Sequence, residues 1–233
     1  MARSKLIKDF ISSKMDIDTA LQNLMAILYC LEDEVLINWT KKELSGYEID
    51  DTLPQYRLLS GRVMADFFVG YMQYTKHQFP INHLDKEIQE SILEVPIYSS
   101  ISTLTESIKK DASLGKPLPP ECYPILQSNS NAKITKAYVD INVVELTDII
   151  SKVKAKILET LLFLEKEFGN LDNLDFDISV KNDEEIKTIV QYIKVTLYDN
   201  SISIGDNNKI KNSDIVTNKW SLISSLKEFL HLK

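Results

Sequence analysis

Apolar residues recur at helical spacing along most of this chain and alternate only in a few short stretches. Leu6, Ile7, Phe10 and Ile11 predict a short amphipathic helix that ends before residues 16–18. Leu21, Leu24, Met25 and Leu28 then follow the i, i+3, i+4, i+7 pattern of a buried helical face, and Thr19 and Gln22 have the spacing of a capping box. Acidic residues 32–34 mark the break before a helix that carries Val35, Leu36 and Trp39. Two antiparallel helices joined by a short turn are the predicted N-terminal unit.

From residue 56 to 74 the pattern changes. Val63, Phe67, Phe68, Val69, Tyr71 and Tyr74 are β-branched or aromatic, punctuated by Gly61 and Gly70, and predict one or two strands. Leu84, Ile88, Ile92 and Leu93 predict a short helix closed by Pro96. A second helix over 99–112 turns Ile101, Leu104 and Ile108 inward. Residues 115–120 (GKPLPP) read as an exposed, partly polyproline-like connector, followed by a helical turn over 121–126. The partial alternation of Ile134, Tyr138, Ile141 and Val143 predicts a strand that pairs with the earlier ones.

The longest element follows. Leu146, Ile150, Val153, Ile157, Leu161, Leu164 and Phe168 form a helical stripe opposite Lys152, Lys154, Glu159 and Lys166, ended by Gly169 and Asn170. The Asp- and Asn-rich stretch 171–183 reads as a linker, and Ile186, Ile189, Val190 and Ile193 as another helical face. Ile202 and Ile204, turn residues 205–208, and Ile210 and Ile215 predict a small hairpin or a rung of stacked β structure. Leu222, Leu226, Phe229 and Leu230 predict a last amphipathic helix. The expected fold class is α+β, mainly helical, with a domain over 1–170 and an assembly tail over 171–233. A hairpin this short is marginal alone, so these isoleucines and the last helix are the candidate surface of a homo-oligomer.

The chain is organised around residues 39–57, WTKKELSGYEIDDTLPQYR. Trp39 and Leu44 lie near one helical face, with Lys41 and Lys42 in the last turns, where cations complement the helix dipole. Gly46 occupies the left-handed exit position, and Pro54 biases Leu53 toward extended backbone. Tyr56 and Arg57 then start a strand. Glu43, Tyr47 and the carboxylates of Glu48, Asp50 and Asp51 complete the stretch. It reads as a helix-to-strand corner fixed by an aromatic and an ion pair. The competing reading, an active-site rim, lacks an accompanying nucleophile or general base.

Composition narrows the function classes. A net charge of −7 over 233 residues argues against a sequence-independent nucleic-acid binder, which needs excess cations to neutralise phosphates. Cys30 and Cys122 read as reduced thiols, there is no signal-peptide h-region, and no apolar run is long enough to span a bilayer. The expected location is cytoplasmic, with no membrane partner. Neither GxxxxGK[ST] nor GxGxxG occurs, and His77, His83 and His231 lack metal-ligand spacing. Asp172, Asp175 and Asp177 lack the glycine and glutamate of a calcium loop. Tyr56, Arg57 and Arg62 near Asp66 and His77 offer one nuclease-like or nucleotide pocket; Arg57 paired with Glu43 or Asp51 is the preferred alternative. No catalytic, cofactor-binding or metal residue is assigned.

Taken in order, these features resemble the AbiTii domain family, which is associated with bacterial abortive infection against phage. The resemblance is carried by the paired helices from Leu21, the Trp39-x-x-x-Glu43-Leu44-Ser45-Gly46-Tyr47 stop and Leu53-Pro54-x-Tyr56-Arg57. It is carried further by the Leu84 helix, the Pro-Leu-Pro-Pro segment and the helix ending Glu167-Phe168-Gly169, over roughly residues 1–170. It implies a phage-defence protein without supplying a catalytic set. Two mechanisms follow from the resemblance and the composition. One is a non-enzymatic module that senses or binds a phage or host protein through assembly; the other is a toxin-like enzyme acting on nucleic acid or a nucleotide.

Overall fold

The structure is a computed structural model that describes residues 3–110, 114–198, 203–204 and 210–211. Its helices are α1 (Lys5–Ile11), α2 (Ile17–Tyr29), α3 (Glu34–Ser45), α4 (Lys86–Leu93), α5 (Ile101–Lys109), α6 (Tyr123–Leu126), α7 (Val143–Phe168) and α8 (Asp183–Tyr198). The strands are β1 (Leu58–Ser60), β2 (Arg62–Val69), β3 (Met72–Gln78), β4 (Glu94–Pro96), β5 (Leu114–Pro117), β6 (Ala132–Ile141), β7 (Ser203–Ile204) and β8 (Ile210–Lys211). The fold is α+β and mainly helical, as the hydrophobic pattern predicts.

Two compact units share the chain. Of the described residues, one takes 3–56, 98–110 and 147–198 and the other takes 57–97 and 114–146. In the first unit α3 packs against α2, α5 and α8. Leu21, Leu24, Ile27 and Leu28 of α2, Leu36, Ile37 and Trp39 of α3, and Ile101 and Leu104 of α5 are buried. The α7 stripe is buried at Ile149, Val153, Ile157, Leu161 and Leu164, with Ile149 rather than Ile150 as the fully buried member of its pair. Each such side chain contributes about 1.5–3 kcal/mol relative to an exposed one.

The N-terminal pair of helices forms as expected, but its cap differs. Asp16, not Thr19, is the N-cap of α2, and its side chain accepts from Thr19 N at 2.7 Å. Thr19 is the third helical residue, and its N–H is one of the first-turn donors that an N-cap side chain satisfies. The stretch after α7 is irregular and its polar side chains are used. Asp172 accepts from Leu6 N, Leu171 N donates to the buried Ser4 hydroxyl, and Ser4 is held by Glu165. Phe176 stacks on Phe168 with ring centroids 4.0 Å apart.

The second unit holds an antiparallel four-stranded sheet in the order β3-β2-β6-β5 and a two-stranded pair β1-β4. Val63 and Ala65 of the central β2 lie opposite Val139 and Ala137 of β6, and all four are buried. Asp66 organises an irregularity in both ladders of β2. Its side chain accepts from Lys76 N at 2.6 Å, where Lys76 has φ 52°, and its carbonyl accepts from Thr135 Oγ1. Gly70 and Tyr71 make the two-residue turn between β2 and β3. The φ of +59° at Gly70 suits a turn whose first central residue must be glycine.

The expected connector at 115–120 is corrected. Leu114–Pro117 is β5, paired with β6 from Leu114 opposite Ile141 to Pro117 opposite Tyr138, and Leu118 N donates to Ala137 O. Proline is tolerated on an edge strand, where its missing N–H is not required by a second neighbour. In the tail, Ser203–Ile204 pairs with Ile210–Lys211, Ile204 opposite Ile210. Ile202, Ile215, Leu222, Leu226, Phe229 and Leu230 lie outside the described residues.

Candidate functional site

Within the first unit, α3 and the loop that leaves it build a buried polar cluster. Trp39 and Glu43 are one turn apart on α3, and Tyr47 follows Glu43 by four residues. The chain then returns so that Tyr56 meets both. Trp39 Nε1 donates to Tyr56 OH at 3.0 Å, and Tyr56 OH and Tyr47 OH each donate to Glu43 Oε1 at 2.7 Å. Trp39 and Glu43 are fully buried, and Tyr47 and Tyr56 nearly so. Hydroxyl-to-carboxylate bonds of this length are charge-assisted and among the stronger ones available to a fold.

Gly46 makes the return possible. Its φ is +95°, its N–H closes on Lys42 O at 2.8 Å, and Tyr47 N donates to Tyr98 O. A Cβ at Gly46 would sit 3.0 Å from Tyr98 O and 3.3 Å from Ser100 N. The loop beyond is tied by Lys42 Nζ to Asp51 Oδ1 at 2.6 Å and by Glu48 N to Asp51 Oδ2 at 2.8 Å. Burial alone would raise the Asp51 pKa, but the Lys42 hydrogen bond, the Glu48 N–H and the Lys42 charge hold it below the usual carboxylate value.

Two lysines enter this region from other helices. Lys156 of α7 is buried, lies 5.3 Å from the centre of the Tyr56 ring and donates to Thr196 O at 2.6 Å. Lys194 of α8 pairs with Asp33 at 2.7 Å, while Asp33 also caps α3 through Val35 N and Leu36 N. Tyr198 OH donates to Val35 O at 3.2 Å. Burial first, then the charges of Glu43, Asp33 and Asp51, push the Tyr198 pKa upward. The last turn of α8 is thus fastened to α3 and α7 through three polar ties.

A protein-family model described as AbiTii matches residues 4–189. The chain belongs to the AbiTii family. Membership suggests a part in abortive-infection defence. No curated protein and no solved structure matches the chain. The AbiTii match takes in the whole of the Trp39–Tyr56 cluster and ends within α8, before Lys194, Thr196 and Tyr198.

Of the motif residues singled out in this AbiTii chain, the structure brings together Trp39, Glu43, Tyr47 and Tyr56. Pro54 is buried, and Leu44 and Leu53 are half-buried. Arg57 is fully buried in the second unit, where Nη1 donates to Ile97 O at 3.0 Å and its carbonyl accepts from Ile97 N. The pocket candidates Arg62, Asp66 and His77 have separate tasks. Arg62 pairs with Asp140 at 3.6 Å, Asp66 serves the strand irregularity, and the His77 ring lies edge-on to Tyr74.

Lys156 and Lys194 were not legible as site residues, although Lys156 left a signal: it falls three residues after Val153, on the buried side of the α7 stripe. Thr160, one turn further along, is also buried, with no hydrogen-bond partner for Oγ1. Among the described residues, no group of three or more His, Cys, Asp or Glu converges on a metal-sized site, and no helix is long and apolar enough to cross a membrane.

Proposed function

We infer that this AbiTii-family protein acts in abortive-infection anti-phage defence as a sensing or interaction module that works through assembly with itself or a partner protein. The observation that supports this reading is the use made of the family motif. The Glu43 carboxylate and the hydroxyls of Tyr47 and Tyr56 are spent on one another inside the first unit, where they fasten α3 to its exit loop. Groups engaged and shielded in this way set a fold; an acid or base in catalysis must reach the proton it moves.

The assembly surface proposed is the tail from residue 200, with Ile204 and Ile210 opposite each other at its start. Truncation after Tyr198 keeps the polar ties of α8 and tests the tail alone. Light scattering at micromolar concentration is expected to show a homo-oligomer for the full chain and a monomer for the truncated one. A monomeric full chain, or an oligomer that survives truncation, overturns the assembly reading. Phage yield in a bacterial host expressing the chain tests the defence reading, with reduced yield expected and full sensitivity across a broad phage panel counting against it.

A further inference from the structure

The β2–β3 hairpin of the second unit ends in an exposed apolar tip. Tyr71 is fully exposed, and Met72, Val69 and Phe68 are 66%, 41% and 38% exposed. Val69, Met72 and Ala132 share one face of the sheet, and that face continues inward through the stacked pair Phe67 and Tyr74 to buried Ala65 and Val63. On β2 and β3 this face therefore runs on to the turn as exposed apolar surface, while on β6 it stays buried as far as Ala132. Exposed consecutive apolar residues of this kind mark an interaction surface.

We propose that this tip docks on the surface of an anionic lipid bilayer. Its flanks are cationic although the chain as a whole is acidic: Lys133 lies opposite Phe68, Lys136 opposite Asp66, and Lys76 stands at the irregularity in β3. At about 3.3 Å per residue, Lys133 is about 3 Å behind the last ladder pair and Lys136 about 10 Å behind it. Interfacial elements bury their apolar side about 5–10 Å deep, so a tip seated to that depth brings Lys133 to the headgroup phosphates with Lys136 and Lys76 next. Tyrosine at the turn suits the boundary itself, with an apolar ring and a wet hydroxyl.

Other occupants fit less well. The handful of side chains at the tip falls short of the roughly 20–30 residues per side that a stable dimer uses. An extended peptide added to β3 would meet the irregularity at Lys76, a feature that blunts strand edges. A surface contact needs no membrane-spanning segment, so the hydropathy of the chain does not bear on it.

The test is co-sedimentation of the full chain with phosphatidylcholine vesicles, with and without phosphatidylglycerol. Partition is expected to be roughly tenfold greater on the anionic vesicles. The double variant Tyr71→Ser/Met72→Ser is expected to lose about tenfold of that partition, and Lys133→Glu to lose the preference for anionic lipid. All are expected to melt like the wild type, because the changed positions are exposed. A wild-type chain that ignores both vesicle types overturns the proposal. So does undiminished binding by the double variant.

Discussion

Tyr56 OH donates to Glu43 Oε1 at 2.7 Å, joining the end of the corner to the helix on which it begins. Because Tyr47 donates to the same oxygen, removing the carboxylate takes an acceptor from two buried hydroxyls at once, while the Trp39 indole keeps Tyr56 as its partner. Each buried group left unpaired costs about 1–3 kcal/mol. Glu43→Leu is expected to lose roughly 2–5 kcal/mol of stability in urea unfolding, and Tyr56→Phe about 1–2 kcal/mol. Trp39→Ala removes the largest buried side chain of α3 and is expected to cost about 3–5 kcal/mol.

Gly46 offers a second check, independent of the polar cluster. A side chain there meets both a positive φ and the Tyr98 carbonyl. Gly46→Val is expected to destabilise by about 1–3 kcal/mol, read as a lowered melting temperature. Gly70→Ala is the matched comparison. Its φ is also positive, but nothing lies within 4 Å of its Cβ position, so the steric part of the penalty is absent.

The polar ties of α8 predict where the chain opens first when they are cut. Lys194→Met leaves Asp33 with its two backbone N–H donors but without its cation. Amide exchange is expected to accelerate in residues 183–198 and at the start of α3, while β2 and β6 keep their protection. Unchanged exchange in α8 would show that its apolar face alone holds it.

Stability should fall at both ends of the pH scale. The Thr19 backbone N–H holds Asp16 below its ordinary value. At Asp51 and Glu165, burial acts in the opposite direction but is outweighed by Lys42 and Glu48, and by Ser4 and Arg3. These lowered carboxylates contribute stability above their unfolded pKa of about 4, and it is lost as pH falls from there through their folded values. Burial raises Tyr198, so its contribution is full below about pH 10 and is lost as pH rises through its folded value. Melting temperature against pH is expected to form a plateau bounded by these two declines.

The long-range architecture was legible where a period was long enough to average out exceptions. Seven apolar positions specify α7, and the alternation over 134–143 predicts a strand, observed as β6. Single-residue geometry was less so. Asp16 rather than Thr19 caps α2 because the helix already begins at Ile17, which places Thr19 in the first turn as a donor to the Asp16 carboxylate. β5 was missed because three prolines suggested a connector, whereas an edge strand needs only one neighbour. Within the motif, residue types alone did not show that Glu43 would take both tyrosine hydroxyls, since Tyr56 returns across a nine-residue interval from Tyr47 whose path depends on Gly46 and Asp51. Lys156 and Lys194 were hidden because each partner, Thr196 O and Asp33, lies far away in sequence.

Glu43→Gln separates a structural corner from a chemical one. The amide oxygen still accepts from Tyr47 and Tyr56, but no carboxylate remains to move a proton. The measurement is phage yield in a host expressing wild type or E43Q, with melting temperature taken on the same proteins. A structural role for the cluster predicts protection that follows the folded fraction, so that a folded E43Q protein still lowers phage yield. A folded E43Q protein with wild-type melting and no protection would contradict it.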